Sequence, residues 1–168
     1  MFLLGHYGVS LVVFSPVGFA LVRLGRPDLA FVVGAAMLGL AMLPDVDHRI
    51  PGVRHRGPTH SLAFAAAVGG AFAGVGHLLG AVGSDLGVAL GVAGVGLPAF
   101  GFFLGALVVV AHLVGDVLTP MGVNFLWPLS DRRYSLSLWP ARSRPANYGL
   151  FALGVFVATS ALLLAVRP

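Results

Sequence analysis

Three short strings hold most of the residues able to grip a metal or move a proton: Asp45-Val-Asp47-His48, His55-Arg-Gly-Pro-Thr-His60 and His112-Leu-Val-Gly-Asp116, with His6 standing alone near the start. A spacing of four puts His112 and Asp116 on one face of a helix, one turn apart. The same geometry lets a helical His-x-x-x-His pair bind zinc, here with one carboxylate in place of an imidazole. Asp45 and Asp47 follow a proline and stand two residues apart, a crowding of like charge that is unfavourable unless a cation sits between them. Gly57-Pro58 forces a turn that can fold His55 and His60 back toward one point. The plainer readings are that helix ends attract polar residues and that Thr59 or Ser61 caps the helix that follows. Cysteine is absent, so disulfides, thiolate zinc sites and cysteine nucleophiles are excluded, and any metal must take nitrogen and oxygen ligands.

The elements that carry these strings must lie in lipid. Of 168 residues, 58% are hydrophobic and 10% charged, against about 25% charged in ordinary soluble domains. The chain is too poor in charge to cover a water-facing surface. Its net charge of +4 comes from arginine alone, scattered in pairs with no basic stripe, which argues against nucleic-acid binding through bulk charge. The apolar runs predict an all-α, polytopic transmembrane bundle of about five spans: 7–24 with Pro16 inside it, 29–43, 61–82, the long stretch 86–118, and 148–166. At 1.5 Å per residue the fourth stretch is too long for one crossing, so Gly94, Gly96 and Pro98 are expected to break it into an irregular lead-in and one span. Residues 119–147 hold Trp127, Trp139 and Tyr134 with four arginines, a composition suited to an interfacial loop covering a metal site. The whole of 1–168 reads as one domain, and no basic residue precedes Arg23, so the first span is expected to be a retained helix rather than a signal peptide.

Alternating the crossings sorts the ionisable residues. His6, Asp45, Asp47, His55, His60, His112 and Asp116 all fall at one membrane face, although as many as 110 residues separate them. Chance solvation of helix ends accounts for one or two such positions and poorly for this imbalance. A charge at a membrane helix centre costs roughly 2.5–3.5 kcal/mol on insertion scales, and a divalent metal with neutral histidines would offset that cost for several carboxylates. His48, next to Asp47, is placed to orient a ligand, while His77 falls near the opposite face and reads as structural.

The strings Leu43-Pro-Asp-Val-Asp-His48, His55-Arg-Gly-Pro-Thr-His-Ser61, His112-Leu-Val-Gly-Asp116 and Thr119-Pro-Met-Gly122 resemble the YdjM-like family of membrane-bound, metal-dependent hydrolases over nearly the whole chain. The His/Asp pattern is also distantly similar to zinc-dependent phospholipase C and P1-type nucleases. The resemblance implies a metal site first and a phosphoester substrate second.

The leading expectation is therefore a membrane-bound, metal-dependent hydrolase, phosphoesterase-like, acting on a phosphoester or lipid-linked substrate through a metal-activated water. The expected metal ligands are His6, Asp45, Asp47, His60, His112 and Asp116, around one or two divalent ions, zinc first, with manganese and iron as alternatives. Asp45, Asp47, His55 and Arg56 form the expected catalytic set, with an Asp that the metal leaves free as general base. Arg54, Arg56, Arg132 and Arg133 are expected to bind substrate, because a guanidinium fork matches a phosphate in shape and charge. Expected partners are membrane lipid, a small-molecule or lipid phosphoester and, through the Gly-rich spans, a second copy of the chain. Seven arginines lie in loops on the site face against three on the other, which predicts a multi-pass inner or plasma membrane protein with its site on the cytoplasmic face. Two rivals stand beside this: a metal-ion or proton-coupled transporter, whose ionisable groups would sit near the bilayer midplane, and a non-catalytic partner protein that uses metal for folding.

Overall fold

The structure, a computed structural model, describes residues 1–52, 55–82 and 94–167. It contains five long helices, α1 (Leu3–Arg23), α2 (Pro27–Gly39), α3 (Leu62–Val82), α4 (Leu97–Val117) and α5 (Arg144–Ala165), with two 3-10 turns, Pro44–Arg49 and Pro58–His60, between α2 and α3. Among the described residues there is no strand, only an isolated antiparallel pairing of Val123 with Tyr134. Arg54, Asp85 and the expected lead-in before Gly94 fall largely outside the described residues.

Proline and glycine set the boundaries. Gly25 takes a φ of +74° to end α1, a conformation that needs no Cβ, and Pro27 then opens α2 in the first helical turn, where its missing N–H costs nothing. Pro98 and Pro145 do the same for α4 and α5. Ser61 and Ser143 cap α3 and α5 by accepting from the N–H groups of Phe64 and Ala146. The Ser143 cap explains why α5 begins before the apolar run at Tyr148. At the other boundary, α2 ends at Gly39 and not at Leu43, and Pro44 starts a 3-10 turn that carries both aspartates.

Among the described residues, five segments are long and apolar enough to cross a membrane, the second running from Pro27 through the 3-10 turn to Arg49. Their outer faces carry bulky apolar groups in the open, Phe31 being 78% and Phe156 69% exposed. Lipid is the solvent that tolerates such faces, and the chain is a membrane protein.

Helices α1 and α5 run parallel. Phe2 N–H donates to Asn147 Oδ1 at one end (2.9 Å), and Arg23 donates to the Arg167 carbonyl at the other (3.0 Å). Between those ends a Cβ on Gly8 would run into the backbone of Leu150 and Phe151, so the helices touch backbone to backbone only because Gly8 has none. Helices α3 and α4 pair antiparallel, with the start of α3 beside the end of α4, and α2 closes against α1 and α4 through Leu29, Val33 and Met37 packed near Phe14, Leu104 and Val108. The start of α1, the α2–α3 connection, the start of α3, the end of α4 and the start of α5 thereby share one end of the bundle.

Candidate metal centre

At that end three elements converge on one point. The first 3-10 turn brings Asp45, the second brings His60, and the last turns of α4 bring His112 and Asp116, whose spacing of four aligns them along one helical face. His60 and His112 are fully buried, Asp116 is almost so, and only Asp45 keeps partial exposure. His60 Nε2 lies 3.2 Å from Asp45 Oδ1 and 3.4 Å from Asp116 Oδ2. His112 Nε2 lies 3.4 Å from each of the same two oxygens, and 3.3 Å from His60 Nε2.

Hydrogen bonding behind the rings shows what these atoms can be. His112 Nδ1 lies 2.7 Å from the Ala41 carbonyl, an acceptor only, so Nδ1 carries the proton. Thr59 donates its single hydroxyl proton to Asp47 Oδ2 (2.8 Å), so its oxygen can only accept from His60 Nδ1 at 3.0 Å. When neutral, both rings therefore present lone pairs at Nε2, facing each other and two carboxylate oxygens. Four acceptors cannot satisfy one another, and either a metal ion or a proton among them would. Metal–ligand bonds of about 2.0–2.1 Å in a tetrahedron separate neighbouring ligand atoms by about 3.3–3.4 Å, and the five separations above match that edge length. These residues fit a divalent metal ion.

In the absence of metal, a proton takes the cation's part. Burial is the largest single influence on His60 and lowers its pKa, but the carboxylates of Asp116 and Asp45 together outweigh it and raise the imidazole above its ordinary value.

Asp47 stands one layer back. Its Oδ2 accepts from Thr59 and from the Arg56 backbone N–H (3.2 Å), and its Oδ1 lies 3.0 Å from His55 Nδ1. His55 in turn stacks on His48 with ring centroids 3.7 Å apart. Asp45, Asp47, His48 and His55 form a second, half-exposed group able to hold a cation, sharing Asp45 with the first.

His6 lies flat against His112, ring centroids 3.9 Å apart and planes 2° from parallel, with Nε2 3.6 Å from Asp116 Oδ1. Neither of its ring nitrogens has a hydrogen-bond partner although the residue is fully buried. Gly115 makes the approach possible, since a Cβ there would come within 3.0 Å of His6 Nδ1. The Met1 amino nitrogen also stands 3.4 Å from Asp116 Oδ1.

Arg56 is buried, with φ +57°, and is tied down at two of its three nitrogens. One terminal nitrogen donates to Asp116 Oδ1 (2.7 Å), the other to Thr119 Oγ1 (3.2 Å) and the Gly122 carbonyl (3.0 Å), leaving only Nε without a partner. Arg132 sits 5.3 Å over the Tyr134 ring, and Arg133 lines a cavity beside Arg56. Arg54 lies outside the described residues. His77 is exposed at the far end of α3, away from the cluster.

Sequence reasoning passed over Thr59 as more than a cap, and it missed Asn147, whose amide donates to Ala141 and Ser143 while its oxygen holds the start of α1. A polar residue in the first turn of an otherwise apolar span was the available signal for Asn147.

No curated protein and no solved structure matches this chain. The model of one family, described as YdjM inner membrane protein, matches residues 1–167, the same strings that carry the cluster included. The chain therefore belongs to the YdjM inner membrane protein family.

Proposed function

We propose that this protein is a membrane-bound, metal-dependent hydrolase that cleaves a phosphoester or lipid-linked substrate at the membrane surface. The observation that carries the reading is the meeting of four lone-pair-bearing atoms at tetrahedral spacing with no donor among them. His60 Nε2, His112 Nε2 and one oxygen each of Asp45 and Asp116 would hold the ion, and zinc suits two nitrogens and two oxygens in this geometry. When bound, a divalent ion supplies Lewis-acid chemistry, polarising a substrate oxygen and acidifying a nearby water.

The chain's own residues do the rest. Asp47, through Thr59, keeps the proton of His60 on Nδ1 and aims Nε2 inward, while Ala41 does the same for His112. Arg56 holds Asp116 Oδ1 and so orients its other oxygen. His55 donates from Nδ1 to Asp47 and keeps Nε2 free to take a proton from an attacking water, an Asp-oriented imidazole at the partly exposed edge of the cluster. The Arg-rich loops at this end, against three arginines at the other, favour a cytoplasmic orientation.

One observation favours a second reading. Four protein donors fill a tetrahedral shell, as in metal sites that serve folding, whereas catalytic sites keep a position open. The partial exposure of Asp45 argues for the catalytic reading, because that ligand alone lies where water or substrate can reach it. A transporter finds little support, since the ionisable groups sit at helix ends and not at mid-span.

The test is elemental analysis of the purified, detergent-solubilised protein, followed by a phosphoester screen of zinc-, manganese- and iron-loaded samples. Bound metal with turnover that disappears in Asp45→Asn supports the hydrolase. Bound metal without turnover against soluble and lipid phosphoesters supports the folding role. Absence of stoichiometric metal under all three loadings sinks both.

A further inference from the structure

Beside the cluster, and separated from it by Arg56, lies a cavity of about 450 Å³ walled by Arg56 and the Gly57–Pro58 turn and by Asn124, Trp127, Asp131 and Arg133 of the 119–143 loop. Two of its wall residues are more than nine-tenths buried and carry polar atoms with no hydrogen-bond partner: Arg56 Nε, a donor, and Asn124 Oδ1, an acceptor. Those two atoms have almost no surface of their own and lie behind the cavity wall, so the groups open to a ligand are the exposed Trp127, Asp131 and Arg133. These ask for two opposite things at once. Arg133, with the Arg56 charge behind it, calls for an anion, and a guanidinium matches a phosphate well. Asp131 calls for a donor, and the Trp127 ring favours a cation over a neutral group.

Resting on the hydrolase reading, we propose that this cavity is the headgroup subsite of the substrate, and that it selects a zwitterion in which a phosphate is joined to an ammonium group. The phosphate lies toward Arg56 and Arg133, the ammonium toward Trp127 and Asp131. Because Arg56 also donates to Asp116 Oδ1, the phosphate end is the end next to the metal ligands. Leu126 and Leu129, close to Trp127 on the same loop, are exposed, Leu129 at 91%, an apolar surface that a lipid interface would cover.

Three soluble probes separate the possible ligands: glycerophosphoethanolamine adds an ammonium group, glycerophosphoinositol adds a ring of hydroxyl donors, and glycerol 3-phosphate carries only the phosphate and the glycerol hydroxyls common to all three. Binding is read by the fluorescence of Trp127 in a Trp139→Phe background, on full-length, chelator-treated protein in detergent, so that no metal or turnover is needed. The expected result is that glycerophosphoethanolamine binds roughly tenfold tighter than the other two. Asp131→Asn should abolish that preference and leave glycerol 3-phosphate binding in place, while Arg133→Ala should weaken all three. Equal affinity for the three probes, or a preference that survives Asp131→Asn, overturns the zwitterion assignment, and no binding of any probe overturns the subsite itself. The same variants are analysed for metal. Metal and turnover without probe binding would remove the subsite and keep the hydrolase, whereas probe binding by a protein that never loads metal would remove the hydrolase and keep a headgroup-binding site.

Discussion

Two groups of histidine and aspartate share Asp45, and they are built to opposite rules. In the inner group, His60, His112 and Asp116 are buried, and each histidine has its back nitrogen tied to an acceptor so that the front nitrogen of the neutral ring has no proton to give. In the outer group, His48 is exposed, His55 is about a third exposed, and Asp47 spends its oxygens on His55, Thr59 and a backbone N–H. The inner group is left with acceptors that only a cation can satisfy, while the outer group is largely satisfied by itself and by solvent. Ligand chemistry alone does not separate them, since both contain two types of good ligand. The direction of the lone pairs does.

The sharpest way to break this contrast is His112→Ala. It should abolish stoichiometric metal and lower any metal-dependent hydrolysis by about a thousandfold or more, as read by elemental analysis and a phosphoester assay. His48→Ala in the same assays should leave metal content unchanged and shift affinity by less than about fivefold. If the two variants behave alike, the distinction between the groups is wrong.

Next in size is Asp47→Asn, which disturbs the Thr59–His60 relay without removing an inner ligand. It should weaken metal binding by about 10–100-fold, the usual effect of losing a ligand's supporting partner, measured by competition with a chromophoric chelator. Full loss of metal would instead make Asp47 a direct ligand.

Acidity sharpens the same point. With metal absent, the raised pKa of His60 means that its protonation stabilises the fold fully below its ordinary value of 6.5, and that this contribution fades as pH rises through the raised value. The metal-free protein should therefore lose thermal stability as pH climbs past neutrality, and added zinc should restore it. Metal uptake at neutral pH should release a proton, visible by calorimetry in buffers of different ionisation enthalpy. Uptake with no proton release would mean that His60 is already neutral.

The smallest effect tests whether the apolar scaffold and the cluster are independent. Gly8→Val forces a side chain into the Leu150 backbone and should destabilise the bundle by about 1–3 kcal/mol, read as a lower melting temperature. Metal stoichiometry below that temperature should stay unchanged, because a side chain at Gly8 points at Leu150 and Phe151 of α5 and not at Asp45, His60 or His112.

Much of the architecture was legible. Runs such as 97–111 are apolar all round, and in lipid the backbone of such a run has only a helix to satisfy it, so five spans followed from hydropathy. Alternating direction then brought His6, Asp45, His60, His112 and Asp116 to one end without any knowledge of packing. The boundaries at Gly39 and Arg144 were not legible in the same way, because they depend on a 3-10 turn and on the Ser143 cap and not on hydropathy.

Composition and order along the chain decided the solvent, the number of crossings and the face that collects the ionisable residues, since each of those depends on one-dimensional patterns of polarity. Which carboxylate faces inward, which serves Thr59, and where Arg56 spends its donors were decided only by the tertiary structure. Those choices turn on angles and separations of a few tenths of an ångström among residues up to 71 apart in the chain, such as His112 and the Ala41 carbonyl. A linear pattern can bring such groups to the same end of a bundle, but only packing sets the direction of a lone pair.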